Sequence, residues 1–177
     1  MLDEPATYQL SGGLVKKPVV LVAGAIRNAR GKLRSDIETI EKALSPTCVI
    51  KWLFIESDSD DDTISALAEA KSSIEDFDYL SLGRLSDTMH EREARLAHCR
   101  NIYLSRLESA SKYINVEYLF VADCDGINNR LTSESIKTCW EAEVDWDGCF
   151  PNQKGPYHDI YARRSASRLL SIRTSIA

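Results

Sequence analysis

The sequence lacks the usual marks of disulfide-linked, zinc-binding and membrane-spanning proteins. Its five cysteines are an odd number without a Cys-x-x-Cys pair, and its three histidines are scattered along the chain. This pattern argues against a disulfide framework and a zinc knuckle, and it favours a reducing compartment. No apolar run approaches the roughly 20 residues of a membrane span. We therefore expect a cytoplasmic protein without a transmembrane segment.

Two further absences concern targeting and partners. Asp3 and Glu4 stand where a signal peptide would carry positive charge, so no such peptide is expected. The net charge is −5, which argues against nucleic acid as a partner. Residues 163–177, by contrast, hold four arginines and no acid. We interpret residues 164–177 as a basic tail, truncated or altered, that forms an incomplete helix or contacts a membrane surface peripherally.

Apolar runs bounded by polar residues alternate with amphipathic helical patterns along the chain. The strand patterns cover residues 18–23, 49–55, 79–82, 118–122, 146–150 and 157–162. The helical patterns cover residues 29–44, 63–74, 90–114 and 133–142. Such alternation predicts an α/β domain with a mostly parallel central sheet flanked by helices, over residues 18–163. Residues 1–17 are polar and contain glycine, so we expect a loose lead-in.

The segment from Tyr118 to Gly126 carries the clearest functional signal. A buried-strand pattern ends there in Asp123 and Asp125, and Gly126 follows at once. Because side chains at i and i+2 of an extended chain point the same way, the two carboxylates are expected to converge. Ligands of open α/β sheets bind beyond the carboxyl ends of the strands. A carboxylate pair there suits a hard divalent cation that keeps positions open for substrate phosphates.

Four segments, in this order and spacing, resemble the GT-A class of nucleotide-sugar glycosyltransferases. Within that class they are similar to the group related to fungal capsule-associated mannosyltransferases and their bacterial relatives. The segments are residues 25–30 after the first predicted strand, 95–104 in the long helix, 121–128 around Asp-Cys-Asp-Gly, and 146–163. The resemblance implies a Rossmann-like GT-A sandwich.

The resemblance also implies a donor site for a nucleoside diphosphate sugar with Mn²⁺ or Mg²⁺. Asp125 would be a metal ligand, and Asp123 would contact the ribose or the water shell of the metal. The other implied donor-site residues are Ala25, Arg27, Glu56, Arg95, Arg100, Asn101, Asn152 and Gln153. Asp159 is the candidate catalytic base or acceptor contact. The acceptor would be a glycan or a lipid-linked hydroxyl, in surface polysaccharide or glycoconjugate assembly.

Several of these features have simpler structural interpretations. The Asp-Gly step could be an ordinary polar turn, and Arg95 and Arg100 could be surface charges that pair with Glu91 or Glu93. Asp159 could be an edge-strand residue. The acidic run at residues 58–62 has some of the spacing of a calcium loop, but residue 63 is not the glycine which that loop needs. We prefer a capped helix start for this run.

Two other functions stay open at the sequence level. The Asp-x-Asp-Gly motif after a strand is also found in haloacid-dehalogenase-type phosphatases, where Asp123 would form an aspartyl-phosphate. That motif normally opens its domain, which argues against this reading. The other alternative is a truncated domain that binds a nucleotide sugar without transferring it. The residues do not distinguish between the possible bases, sugars and stereochemical outcomes.

Overall fold

The computed structural model describes residues 6–10, 12–144 and 146–150. The chain divides into two compact units, Met1–Glu143 and Val144–Ala177. The first unit contains six strands and four α-helices, together with three short 3-10 turns at Leu85–Asp87, Ser111–Tyr113 and Ile127–Arg130. The strands are β1 (Thr7–Leu10), β2 (Gly13–Lys16), β3 (Val19–Ile26), β4 (Val49–Glu56), β5 (Phe77–Ser81) and β6 (Tyr118–Val121). The helices are α1 (Leu33–Leu44), α2 (Thr63–Ser73), α3 (Arg92–Ser109) and α4 (Ser133–Trp140).

The main sheet has four parallel strands in the order β5-β4-β3-β6. The chain proceeds outwards from β3 through β4 to β5, and then returns to place β6 on the other side of β3. Right-handed crossovers put the connecting helices on opposite faces when the direction reverses in this way. Accordingly, α1 and α2 pack on one face and α3 on the other. The prediction of a parallel α/β sheet flanked by helices is confirmed.

Alternating side chains of the central strands build the two cores. In β4, Trp52 and Phe54 face the core shared with α1, α2 and α4, while Leu53 and Ile55 face the core shared with α3. All four are fully buried. A strand that is apolar on both faces is typical of a parallel sheet covered by helices on both sides. Both faces of the sheet are therefore packed up to the ends of β3 and β4, where the candidate site lies.

Several predicted boundaries differ from the structure. The expected loose lead-in contains a hairpin, in which β1 pairs antiparallel with β2. Helix α1 begins at Leu33 rather than at residue 29, because residues 30–32 form a turn in which the Lys32 and Leu33 N–H groups both donate to the Ala29 carbonyl oxygen. Helix α3 ends at Ser109 rather than at residue 114, because Ala110 is extended. These shifts leave the order of the predicted elements unchanged in the first unit.

The second unit is described only in part. Residues 146–150 do not form the predicted strand. The other predicted strand, at residues 157–162, and the basic tail lie outside the described residues. Over the described parts of the chain, no helix combines the length and the apolar character needed to cross a membrane.

Candidate functional site

The strand order reverses between β3 and β6, whose carboxyl ends lie at the same edge of the sheet. In open α/β sheets this switch point is where ligands bind, because the loops from the two strands leave in opposite directions. Asn28 follows β3 and Asp58 follows β4, and both are non-glycine residues with positive φ, at 50° and 60°. Such strained conformations concentrate at functional sites. Two of the three described non-glycine residues with positive φ therefore lie at the edge that the sequence singled out, and the third, Asp76, precedes β5 at the opposite edge.

The two motif carboxylates flank a buried residue. Asp123 and Asp125 are exposed, whereas Cys124 between them is buried. Burial, together with the nearby carboxylates of Asp36 and the two motif aspartates, raises the pKa of the Cys124 thiol. The thiol therefore stays protonated and serves in packing. The order of exposed, buried and exposed side chains agrees with the i, i+2 spacing, whereas the convergence of the two carboxylates stays a prediction.

Gly24 determines how closely β6 approaches β3 at this point. A Cβ atom on Gly24 would lie 2.2 Å from the carbonyl oxygen of Ala122, the residue before the motif. The Ala122 N–H donates to the carbonyl oxygen of Ala23 at 2.9 Å. The absence of a side chain thus allows the last ladder bond before Asp123 to form.

The motif loop is held from the side by helix α1. The Asp36 carboxylate accepts hydrogen bonds from the Gly126 N–H at 2.9 Å and from the Asn128 side-chain amide at 3.2 Å. The same amide nitrogen donates to the carbonyl oxygen of Asp123 at 2.6 Å. The Lys32 ammonium donates to the carbonyl oxygen of Asp125. The sequence prediction missed Lys32 and Asp36, although an acid next to the apolar stripe Leu33-Ile37-Ile40-Leu44 was a visible anomaly.

Two predicted nucleotide contacts lie at the ends of β3 and β4. Ala25 is half-buried in β3, opposite Ile55 of β4. Glu56 ends β4 and is only 1% exposed. Its carboxylate accepts hydrogen bonds from the Ser59 N–H at 3.0 Å and from the Ser81 hydroxyl. Glu56 therefore ties the loop after β4 to the end of β5, and its contact with a nucleotide stays a prediction.

Arg27 projects from the loop after β3 over the loop after β4. Its Nε donates to the carbonyl oxygen of Asp58 at 3.0 Å, and a guanidinium nitrogen lies 4.0 Å from a carboxylate oxygen of Asp60. The Arg27 side chain is 53% exposed. Its cationic group is therefore open to solvent and to a ligand at the carboxyl edge.

Arg95 is held in place by Asp58, and neither Glu91 nor Glu93 is its ion-pair partner. The Arg95 Nε lies 3.4 Å from a carboxylate oxygen of Asp58, and the two side chains are 14% and 6% exposed. Arg95 also donates to the carbonyl oxygens of Met89 and His90 at 2.8 and 2.7 Å. With these bonds in place, Arg95 anchors the start of α3 to the end of β4.

The surroundings of Asp58 favour its ionised form. Desolvation raises its pKa, but hydrogen bonds from Ser86 and Ser57 and the charge of Arg95 outweigh that effect, and the net shift is downwards. The Ser86 N–H donates to the Asp58 carboxylate at 2.8 Å. Within the same acidic run, Asp61 accepts from the Thr63 N–H at 3.0 Å at the start of α2. The predicted capped helix start is not found in that form, because the N-cap residue Asp62 makes no side-chain cap bond and the first turn of α2 contains no acid.

Arg100 and Asn101 are exposed on α3. Their neighbour Tyr103 is buried. Burial raises the pKa of Tyr103, while the charge of Arg100 lowers it and that of Asp123 raises it further. The Tyr103 hydroxyl is therefore within electrostatic range of both Arg100 and Asp123.

The carboxylates of Asp123 and Asp125 fit a Mg²⁺ or Mn²⁺ ion in their chemistry. Both supply hard oxygen atoms in an exposed position. One Asp125 carboxylate oxygen accepts from the Ile127 N–H at 3.2 Å, which fixes its orientation. Among the described residues, no three His, Cys, Asp or Glu side chains form a group that could hold a metal ion. A metal ion held by this pair would need its other ligands from water or from a bound phosphate.

The remaining predicted site residues are Asn152, Gln153 and Asp159, and they lie outside the described residues. The described part of the site thus consists of the exposed motif pair, the loops after β3 and β4, one face of α3, and the α1 residues that hold the motif loop. Compared with known proteins, the chain matches no family model and no curated protein.

Proposed function

We propose that this protein is a metal-dependent glycosyltransferase that takes its sugar from a nucleoside diphosphate sugar. The observation that carries the proposal is the exposed Asp123 and Asp125 pair directly after β6, at the point where the strand order reverses. Four-stranded parallel sheets flanked by helices are compatible with the Rossmann-like half of a GT-A domain. The acceptor would be a glycan or a lipid-linked hydroxyl.

The residues of the proposed site have two roles, which depend on their charge. Arg27 and Arg100 are exposed cations at the carboxyl edge and on α3, where they would pair with diphosphate oxygens. Asp123 and Asp125 would hold Mn²⁺ or Mg²⁺, which when bound neutralises charge on the diphosphate leaving group. Gly24 and the α1 residues keep the two carboxylates in position. Local cations are needed because the chain has a net charge of −5 and its ligand is an anion.

The test is calorimetric titration with UDP and with GDP, in the presence and absence of Mn²⁺. Asp125→Asn removes one motif carboxylate. Glu75→Gln is the matched control, because it makes the same charge change at an exposed residue just before β5, at the opposite edge of the sheet. We expect metal-dependent binding of one nucleotide that is lost in Asp125→Asn and kept in Glu75→Gln.

The other outcomes separate the alternatives. No binding of either nucleotide would overturn the proposal for this chain. Metal-dependent binding without hydrolysis or transfer of the corresponding sugar nucleotides would identify a non-catalytic binding domain. A phosphoryl group found on Asp123 by mass spectrometry, after incubation with a phosphomonoester, would identify a phosphatase of the haloacid-dehalogenase type.

A further inference from the structure

We propose that Asp36 is the positioning residue of the metal site, and that it acts through Asn128 and the backbone of the motif loop. The inference rests on the proposed function, because it concerns the geometry of the same carboxylate pair. Asp36 lies in α1 and is only 3% exposed. It does not belong to the motif, and its carboxylate faces the motif loop.

The carboxylate of Asp36 reaches both halves of the motif. One of its oxygens accepts from the Gly126 N–H, immediately after Asp125, at 2.9 Å. The other accepts from the Asn128 amide at 3.2 Å, and that amide nitrogen also donates to the carbonyl oxygen of Asp123 at 2.6 Å. One buried carboxylate therefore fixes the backbone on both sides of the loop.

The loop needs such support because the sheet no longer provides it. Strand β6 ends at Val121, and the bond from the Ala122 N–H to Ala23 is the last that continues the pairing with β3. Beyond it, Gly126 turns the chain with φ of 93°. A loop of this kind keeps two exposed carboxylates convergent only if other groups hold its backbone.

Lys32 supports the same arrangement one turn earlier in the chain. Its ammonium donates to the carbonyl oxygen of Asp125. Its aliphatic part fills the space beside Gly126, where an added Cβ would lie 3.2 Å from the Lys32 Cδ. The loop therefore packs against the N-terminal turn of α1. Lys32 supplies a hydrogen-bond donor to the loop, and Asp36 supplies the acceptors for its N–H groups.

A buried carboxylate is retained only where it is well hydrogen-bonded, because its desolvation is unfavourable. The neighbouring inward positions of α1 are apolar: Leu33, Ile37, Ile40 and Leu44 are all buried. An apolar residue at position 36 would pack against the same core without that penalty. The hydrogen bonds to Gly126 and Asn128 are what an aspartate adds, and they lead directly to the two motif residues.

The experiment compares Asp36→Asn and Asn128→Ala with the wild-type protein. In Asp36→Asn, one amide oxygen can still accept from Gly126, but the amide nitrogen then faces the Asn128 amide as a second donor. Asn128→Ala removes the link to Asp123 and leaves the bond to Gly126 intact. Glu38→Gln is the control, because it makes the same carboxylate-to-amide change on the exposed side of α1.

Mn²⁺ affinity is measured by electron paramagnetic resonance with UDP and with GDP present, well below the unfolding temperature. Hydrogen exchange at Gly126 and Ile127 reports on the loop itself. We expect about a 10- to 100-fold loss of Mn²⁺ affinity in Asp36→Asn, as is typical when a residue that orients a metal ligand is changed. Exchange at Gly126 should accelerate, while exchange in β3 and β4 and the properties of Glu38→Gln stay unchanged.

The outcomes distinguish this inference from the proposed function. If the wild-type protein binds Mn²⁺ with nucleotide and both variants bind it equally well, the inference is overturned and the proposed function stands. If the wild-type protein shows no metal-dependent binding, both are overturned. A merely structural role of Asp36 would lower the unfolding temperature without changing Mn²⁺ affinity. If Asp36→Asn fails to fold, the Mn²⁺ affinity and Gly126 exchange of Asn128→Ala decide the matter.

Discussion

At the scale of single residues, Gly24 controls the approach of β6 to β3 beside the motif. The Ala122 carbonyl occupies the space that any side chain at position 24 would need. The atom that an added Cβ would meet belongs to the backbone, so it cannot move aside as the end of a flexible side chain could. A substitution at position 24 must therefore displace β6, the strand that leads into Asp123.

Gly24→Ala is expected to destabilise the protein by about 1–3 kcal/mol, the usual range for overpacking. The added methyl group would lie 2.2 Å from the Ala122 oxygen and would break the bond from Ala122 to Ala23. Urea denaturation measures the change in the free energy of unfolding. Gly31→Ala is the control, because an added Cβ there meets no atom within 4 Å. Equal stability of the two variants would contradict the argument.

The sequence predicted some site residues better than others, for a simple reason. The exposure of Asp123 and Asp125 followed from the period-two geometry of an extended chain, which is local. The role of Asp36 depends on residues about 90 positions later in the chain, and no local pattern reports such a contact. An acidic residue on a helix is usually exposed to solvent. The only local sign that Asp36 is buried was its position next to the apolar stripe of α1. The ion pair of Arg95 with Asp58 was missed for the same reason.

At the scale of secondary-structure elements, the contact between the end of β4 and the start of α3 organises one side of the site. The ion pair of Asp58 and Arg95 is nearly buried and joins elements separated by β5. The Ser86 N–H, in the segment that follows β5, donates to the same carboxylate. The orientation of α3, and with it the position of Arg100, therefore depends on the charge of Asp58.

This contact predicts a specific dependence of stability on pH. The pKa of Asp58 is lower in the folded protein than in the unfolded chain. The ionised carboxylate therefore stabilises the fold above the unfolded pKa of about 3.9, and this contribution is lost as the pH falls through the folded pKa. Asp58→Asn should be less stable than the wild type by about 2 kcal/mol at pH 7, since a hydrogen-bonded charge is removed. The difference should shrink below about pH 4.

Urea denaturation at neutral and acidic pH measures this difference. Asparagine is the appropriate substitute, because it tolerates the left-handed conformation of residue 58. Asp87→Asn is the control, since it removes an exposed carboxylate near the start of α3 and should change stability by at most about 0.5 kcal/mol. A difference between the wild type and Asp58→Asn that is the same at both pH values would contradict the argument.

The elements were predictable where their signal was local and strong. Strands β3, β4 and β6 are apolar runs that need only burial, and their predicted positions are confirmed to within a few residues. The hairpin of β1 and β2 was missed because each strand has only four residues, most of them are exposed, and the two strands pair mainly with each other. The early end of α3 was missed because its apolar stripe continues to Ile114, although that residue is largely exposed. A hydrophobic pattern indicates which residues can be buried, and tertiary packing decides where a helix stops.

At the scale of the whole molecule, the site exists only in the folded chain. It combines residues that are far apart in sequence: Arg27 after β3, Asp36 in α1, Arg100 in α3 and Asp123 after β6. An unfolded chain cannot bring these groups together. A ligand of the proposed site would therefore bind the folded state alone and stabilise the protein by mass action.

We expect Mn²⁺ and the nucleotide that binds to raise the unfolding temperature together. At a ligand concentration of 100 times Kd, the stabilisation is about 2.7 kcal/mol. For a chain of this size, that corresponds to an increase of about 5–11 °C. Differential scanning fluorimetry measures the shift, with EDTA as the metal-free condition and Asp125→Asn as the variant without the site. If the nucleotide binds only through the metal, EDTA and Asp125→Asn should both abolish the increase in unfolding temperature. An increase of the same size under either condition would mean that the nucleotide binds without the motif.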